Sequence, residues 1–117
     1  LTLPETPQTK HFINTDSLKL MKSSAVLMNV GRGSVIDEAD LVTALREEVI
    51  GGAVLDVFEN EPLVQDSPLW NLPNVYITPH TAAMSFPGDI VRIFVENYRR
   101  FIQQQPLSHI IDFELGY

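Results

Sequence analysis

The sequence predicts an α/β fold built on a parallel sheet. Short apolar runs of strand length, Ala25–Val30, Ala53–Val57 and Val75–Thr78, alternate with segments of helical patterning. The first run is apolar almost throughout, which suits a strand buried on both faces. No repeat or low-complexity segment interrupts the alternation.

The elements follow in order. Leu1-Thr2-Leu3 reads as the end of a strand that stops at Pro4. Asn14, Thr15 and Asp16 offer caps for a short helix over Ser17–Lys22. The strand Ala25–Val30 runs into Gly31-Arg32-Gly33. Asp37 caps a second helix, with Asp40 three residues on and Leu41, Val42 and Leu45 as its apolar stripe. Ala53–Val57 is the next buried strand, followed by a loop with Glu59, Glu61 and Pro62. Ser67-Pro68-Leu69-Trp70 has serine as cap and proline at the first position of one helical turn. Val75–Thr78 is a strand ending at Pro79-His80. The last helix starts near Pro87, carries Ile90, Ile93, Phe94, Asn97 and Phe101 at helical spacing, and stops near Gln105, before Pro106. Ile110-Ile111-Asp112 is expected to add a short strand.

Bulk properties narrow the function. The 117 residues suit one domain or part of one. A hydrophobic content of 44% is enough for a packed core and excludes wholesale disorder. The net charge of −7 argues against a nucleic-acid binder, which shows a basic face. It leaves an anionic ligand open, because one well-placed arginine dominates a pocket locally. The chain has no cysteine, which excludes disulfides, thiolate catalysis and cysteine-type zinc sites and fits a cytoplasmic protein. No metal site is expected. No apolar run reaches the ~20 residues that span a bilayer, so no membrane partner is expected. Leu1-Thr2-Leu3-Pro4 is neither a signal peptide nor an initiator sequence, and a fragment or processed chain is the expectation.

The strand ends carry the chemistry. Arg32, the loop after Asp56, and His80 each lie just past an apolar run. Parallel strands with crossover connections bring such ends to one edge, where open α/β sheets bind ligands. An arginine fork binds a carboxylate in a bidentate way. A histidine exchanges a proton near neutral pH, and a carboxylate beside it fixes its tautomer and favours imidazolium. The set suits reduction of a 2-keto acid or oxidation of a 2-hydroxy acid, with the hydride coming from elsewhere. A serine hydrolase is excluded, since no Gly-x-Ser-x-Gly occurs.

Asn29-Val30-Gly31-Arg32-Gly33 with Asp37-Glu38, then Asp56-Val57-Phe58-Glu59-Asn60-Glu61-Pro62, then Ser67-Pro68-Leu69-Trp70 with Thr78-Pro79-His80, form an ordered series. Leu3-Pro4, Thr9 and His11-Phe12-Ile13-Asn14 precede it. The series resembles the C-terminal portion of the D-isomer-specific 2-hydroxyacid dehydrogenases. His80-Thr81-Ala82-Ala83, Ile111-Asp112 and Gly116-Tyr117 are similar to the glyoxylate/hydroxypyruvate reductase branch, with phosphoglycerate dehydrogenase-like relatives ending similarly.

The resemblance implies the second half of a doubly wound, Rossmann-type parallel sheet with flanking helices. Residues 1–84 would be the C-terminal half of an NAD(P)-binding domain. Residues 85–117 would be a helix and tail returning toward a substrate domain outside this chain. It implies that Arg32 holds the substrate carboxylate or keto group and that His80 is the acid/base. Glu61, not Glu59, pairs with His80, because it immediately precedes the proline. Asp56 bonds the nicotinamide carboxamide. Val30, Gly31, Arg32, His80 and Ala82 line the nicotinamide end of NAD or NADP. It further implies a homodimeric whole protein in the cytoplasm.

Two departures stand out. Ser23-Ser24 replaces a frequent Pro-Gly turn, and no Gly-x-Gly-x-x-Gly phosphate loop occurs in the chain. The isolated chain is therefore expected to be inactive. A nucleotide-sensing corepressor-like module of the same fold, or an inert half-domain, are the competing functions. His11 and His109 are expected to be surface or packing residues, and Trp70 and Phe58 to be packing residues. The two glycines beside Arg32 are expected to let a ligand approach the backbone.

Overall fold

Asn14 decides where the first helix begins. Its side-chain oxygen accepts from the backbone N–H groups of Asp16 (3.1 Å) and Ser17 (3.2 Å), and its own N–H donates to Ser17 Oγ at 2.8 Å. This reciprocal cap starts α1 at Thr15, so α1 is Thr15–Lys19 rather than the expected Ser17–Lys22. Asp37 caps α2 as expected, its carboxylate accepting from Asp40 N–H at 3.1 Å, and α2 is Glu38–Arg46.

The described residues are 1–116 of the computed structural model. They form two compact units, Leu1–Ala82 and a second that begins at Ala83. The first holds three parallel strands, β1 (Val26–Asn29), β2 (Gly52–Leu55) and β3 (Val75–Ile77), in the order β1-β2-β3. Each is shorter than its apolar run. Leu1 adds a partial pairing on β1: its amino group donates to the Met28 carbonyl, and its own carbonyl accepts from Val30 N–H at 3.1 Å. That is the bonding of a parallel pair, confined to one residue where a strand end over Leu1–Leu3 was expected. A 3-10 turn at Gly33–Val35, absent from the sequence reading, and the expected turn at Pro68–Asn71 complete this unit.

The core lies between α1, α2 and one sheet face. Leu18, Leu41 and Leu45 pack with Leu27, Ala53 and Leu55 and with Ile50 and Leu69 from the connections. Burying a leucine or isoleucine contributes roughly 1.5–3 kcal/mol each, so this cluster holds the layers together. Within this chain the helices cover one face of β1. Strand alternation puts Leu27 and Asn29 on the covered side, while Val26 and Met28 are 60% and 51% exposed.

The second unit is built on α3, Pro87–Ile102, none of whose residues is buried. It stops three residues short of the expected Gln105, because Gln104 turns into the left-handed region at φ 55°. Asn97 ties the following tail to the helix: its amide donates to the Ser108 carbonyl (3.0 Å) and its oxygen accepts from Ser108 N–H (2.8 Å). The expected strand at Ile110–Asp112 does not form. Asp112 instead folds the chain into a turn by accepting from the N–H groups of Glu114 and Leu115. Of the resembling Gly116-Tyr117 end, Tyr117 lies outside the described residues. No helix among the described residues is long and apolar enough to cross a membrane.

Gly33 is the tightest point in the first unit. A Cβ there would lie 1.9 Å from the Phe58 carbonyl carbon and oxygen and 2.5 Å from Glu59 N. Backbone cannot retreat as a flexible side chain does. Gly33→Ala should therefore destabilise the chain by at least ~2 kcal/mol. Gly88→Ala, with nothing within 4 Å of its Cβ and a place in the first turn of α3, should be neutral or stabilising. Urea unfolding of both variants checks this, and equal midpoints would contradict the close approach at Gly33.

Candidate active site

The register of the sheet collects the strand ends. Asn29 pairs with Leu55, and Leu55 with Ile77. Arg32 lies three residues past that row, Asp56 one, and His80 three, so all three stand at the carboxyl edge.

His80 and Glu61 meet directly. Nδ1 of His80 lies 2.7 Å from Glu61 Oε2. The other oxygen, Oε1, accepts from Phe58 N–H at 3.0 Å. Glu61 is therefore anchored at one oxygen and presented to the imidazole with the other. The His80 hydrogen bond, followed by that of Phe58, holds the Glu61 carboxyl below its ordinary value. With Nδ1 engaged, Nε2 is the ring nitrogen left to face a reactant. Glu59 turns elsewhere, with Oε1 2.7 Å from Nε2 of His11.

Asp56 is buried at the end of β2, at 2% exposure. The Thr78 hydroxyl and the Thr81 N–H (2.9 Å) donate to Oδ1, and the Ala82 N–H (2.9 Å) donates to Oδ2. The Thr78 hydrogen bond is the largest cause holding its carboxyl below the usual value, with the two N–H groups and the His80 charge adding to it and burial opposing. Ala82 is thus bound to Asp56 through its backbone. His80 itself has φ 53°, in the left-handed region.

Arg32 stands apart from this trio. Its Nη1 donates to the neighbouring Gly31 carbonyl at 2.9 Å, and among the described residues no carboxylate pairs with it. Asn29, fully buried, shapes this corner: its amide donates to the Arg32 carbonyl (2.9 Å) and its oxygen accepts from Gly31 N–H (3.2 Å). Val30 is tied by its N–H to Leu1. The flanking glycines are required by close backbone approaches within the chain. Gly33 admits the backbone of Phe58 and Glu59, and Gly31 that of Thr2 and Leu3, whose atoms a Cβ would meet at 2.9–3.0 Å.

Sequence reasoning missed Asn29 and Thr78 as contributors to the site. The signal for both was a lone polar residue closing an apolar run. It also missed a second cluster, in which His11 bridges Glu59 and Asp37 (Nδ1–Oδ2 3.5 Å). Burial pushes the adjacent Glu38 carboxyl up. Trp70 is not a core residue: it is 51% exposed and its indole N–H donates to the Val64 carbonyl at 2.9 Å. Phe58, at 8%, does pack in the core. Asp56, Glu61 and His80 face a cavity of about 560 Å3 whose apolar wall includes Phe58, Leu63, Trp70 and Ile77.

The two depressed carboxyls set a pH dependence. A group that titrates lower in the folded chain stabilises it above its ordinary value, 3.8 for Asp56 and 4.5 for Glu61, and the contribution is lost as pH falls through the folded value. Urea midpoints should therefore be flat near neutrality and decline below about pH 4. Asp56→Asn should start lower and show a shallower acid decline, and parallel acid limbs would exclude Asp56 as a contributor.

Comparison with known proteins agrees with this architecture. The chain is 36% identical over 115 residues to glyoxylate/hydroxypyruvate reductase A of Photorhabdus laumondii, covering 98% of this chain and 37% of that protein. It therefore spans about a third of the curated relatives it matches. A D-isomer specific 2-hydroxyacid dehydrogenase of Xanthobacter autotrophicus Py2, solved with NADPH and MES, superposes with a TM-score of 0.95 at 43% identity, over 99% of this chain and 48% of that one. An NADPH-dependent glyoxylate/hydroxypyruvate reductase of Sinorhizobium meliloti, solved with NADP and sulfate, gives 0.93 at 39% identity, over 99% and 38%. The model of the D-isomer specific 2-hydroxyacid dehydrogenase NAD-binding domain matches residues 1–82, and the chain belongs to that family.

Proposed function

We propose that this chain carries the proton-transfer and substrate-anchoring residues of an NAD(P)-dependent reductase that interconverts a small 2-keto acid and a D-2-hydroxy acid, of the glyoxylate/hydroxypyruvate type. One observation carries the reading: a histidine whose Nδ1 is held at 2.7 Å by an anchored glutamate, on the same sheet edge as an arginine that pairs with no acid among the described residues.

The residues divide the work. Glu61 accepts from His80 Nδ1–H and so fixes the ring, leaving Nε2 as the nitrogen that faces the reactant. His80 then presents Nε2–H to the carbonyl oxygen of the keto acid. The Arg32 fork takes the carboxylate of the substrate in two parallel hydrogen bonds and fixes which face of the carbonyl is turned to the cofactor. A nicotinamide bound at this edge would supply the hydride. His80 gives its Nε2 proton to the carbonyl oxygen as the hydroxy acid forms, and no other proton source is needed. In the reverse direction His80 takes the hydroxyl proton.

The donor set fits a nicotinamide. A carboxylate offers about four lone-pair sites. Asp56 accepts three hydrogen bonds within the chain, which leaves one for a carboxamide N–H. The backbone of Val30 and Gly31 and the Ala82 side chain would flank the ring at the same edge. The cofactor is NAD or NADP. The whole protein is read as a cytoplasmic homodimer, the compartment being in keeping with a chain that has no cysteine.

Kinetics on the complete reductase test these roles. Arg32→Lys should lose at least ~2 kcal/mol of transition-state binding, because a point charge cannot replace the fork. Near-normal kcat/KM would remove Arg32 from the substrate. His80→Ala should lower the rate on the order of 10² to 10⁴. Glu61→Gln leaves one oxygen for two donors, Phe58 N–H and His80 Nδ1–H, so the imidazole loses its fixed direction and kcat should fall by at least about tenfold, and an unchanged kcat would refute the pairing. Absence of glyoxylate and hydroxypyruvate turnover in the unmodified protein would favour a nucleotide-sensing module instead.

A further inference from the structure

The loop that bears His80 closes on itself through His80 N–H to the Thr78 carbonyl (3.1 Å), and Glu61 holds the ring at Nδ1 (2.7 Å). His80, Thr81 and Ala82 are all exposed, and His80 sits at φ 53°, a conformation disfavoured for a residue with a β-carbon. What surrounds it is Asp56. The Asp56 carboxylate accepts from the Thr78 hydroxyl and from the N–H groups of Thr81 and Ala82, and the Asp56 carbonyl accepts from His80 N–H at 3.0 Å. One buried residue thus binds the chain before, at and after His80.

We propose that Asp56 is a positioning residue for His80. Its ionised carboxylate fixes the Thr78–Ala82 main chain and with it the direction of the imidazole. The inference rests on the reading of His80 as the proton donor and acceptor, and it adds a role for Asp56 that does not depend on cofactor contact. The chemistry requires aspartate. All three partners of the side chain are donors, and only a carboxylate is an acceptor at both atoms. An asparagine in the same place would set an NH2 group against a donating hydroxyl or N–H. The main-chain carbonyl contact to His80 N–H survives that substitution, so the side-chain contribution can be isolated.

The 117-residue chain labelled with 15N provides the first test, with no cofactor present. Asp56→Asn should speed amide exchange at Thr81 and Ala82 by at least about tenfold while β1 and β2 amides keep their protection. The His80 ring nitrogens should move from the Nδ1–H tautomer held by Glu61 toward the mixed tautomers of a free histidine. Thr78→Val removes one donor without changing the charge, and should give a smaller change of the same kind. It keeps the test decisive if Asp56→Asn fails to fold. In the complete reductase, Asp56→Asn should lower kcat at saturating cofactor by at least about tenfold, with the substrate KM changed far less. Unchanged loop exchange and histidine tautomer, with a loss confined to cofactor affinity, would overturn the inference. Full activity of His80→Ala would sink the proton-transfer reading instead, and the exchange and tautomer data would still decide whether Asp56 holds the loop.

Discussion

Three parallel strands in register put Asn29, Leu55 and Ile77 in one row, and the candidate site residues Arg32, Asp56 and His80 lie within three positions of it. This constraint is mechanical. Interstrand hydrogen bonds leave no freedom to slide by one residue, because a slip would turn Leu27, Ala53 and Leu55 out of the core. The same packing that stabilises the unit therefore fixes which side chains reach the edge. Chemistry is superimposed on a register that the core has already chosen.

The edge is organised by donors and acceptors more than by bulk. In a chain of net charge −7, Arg32 pairs with no acid among the described residues and donates to the Gly31 carbonyl instead. Each nearby carboxylate is committed. Glu61 divides its oxygens between Phe58 N–H and His80. Asp56 engages both of its own with the loop around His80. Glu59, two residues from Glu61, is taken by His11. Two histidines and two glutamates within a short stretch of space are sorted into separate pairs, which keeps Glu61 available to His80.

The sheet carries its helices on one face of this unit. The other presents Val26, Met28 and Tyr76 to solvent. Period-two alternation divides the strand side chains between the two faces, and α1 and α2 occupy one of them. Glycine has its place in the same economy of space. Gly33 lets the Arg32 corner touch the backbone before Glu59, and Gly31 lets the first residues cross the end of β1.

Much of this was legible in the sequence. Apolar runs of strand length between helical patterns identified the parallel sheet, Asp37 marked the start of α2, and the polar residues past each run marked the edge. Local signals of this kind depend on a few neighbouring residues, so they survive without a fold. Other features depend on what lies across space. Asn14 outcompeted Thr15 and Asp16 as a cap because its geometry with Ser17 closed a reciprocal pair. The tail at Ile110–Asp112 had strand composition but turned on the Asp112 side chain. Trp70 fell outside the core, and the glycines beside Arg32 admit neighbouring backbone. The sequence by itself determined the residue types and the strand order's working edge. Only the tertiary structure decided which acid meets which histidine and what Asp56 holds, because those choices are distances between segments that no local pattern encodes.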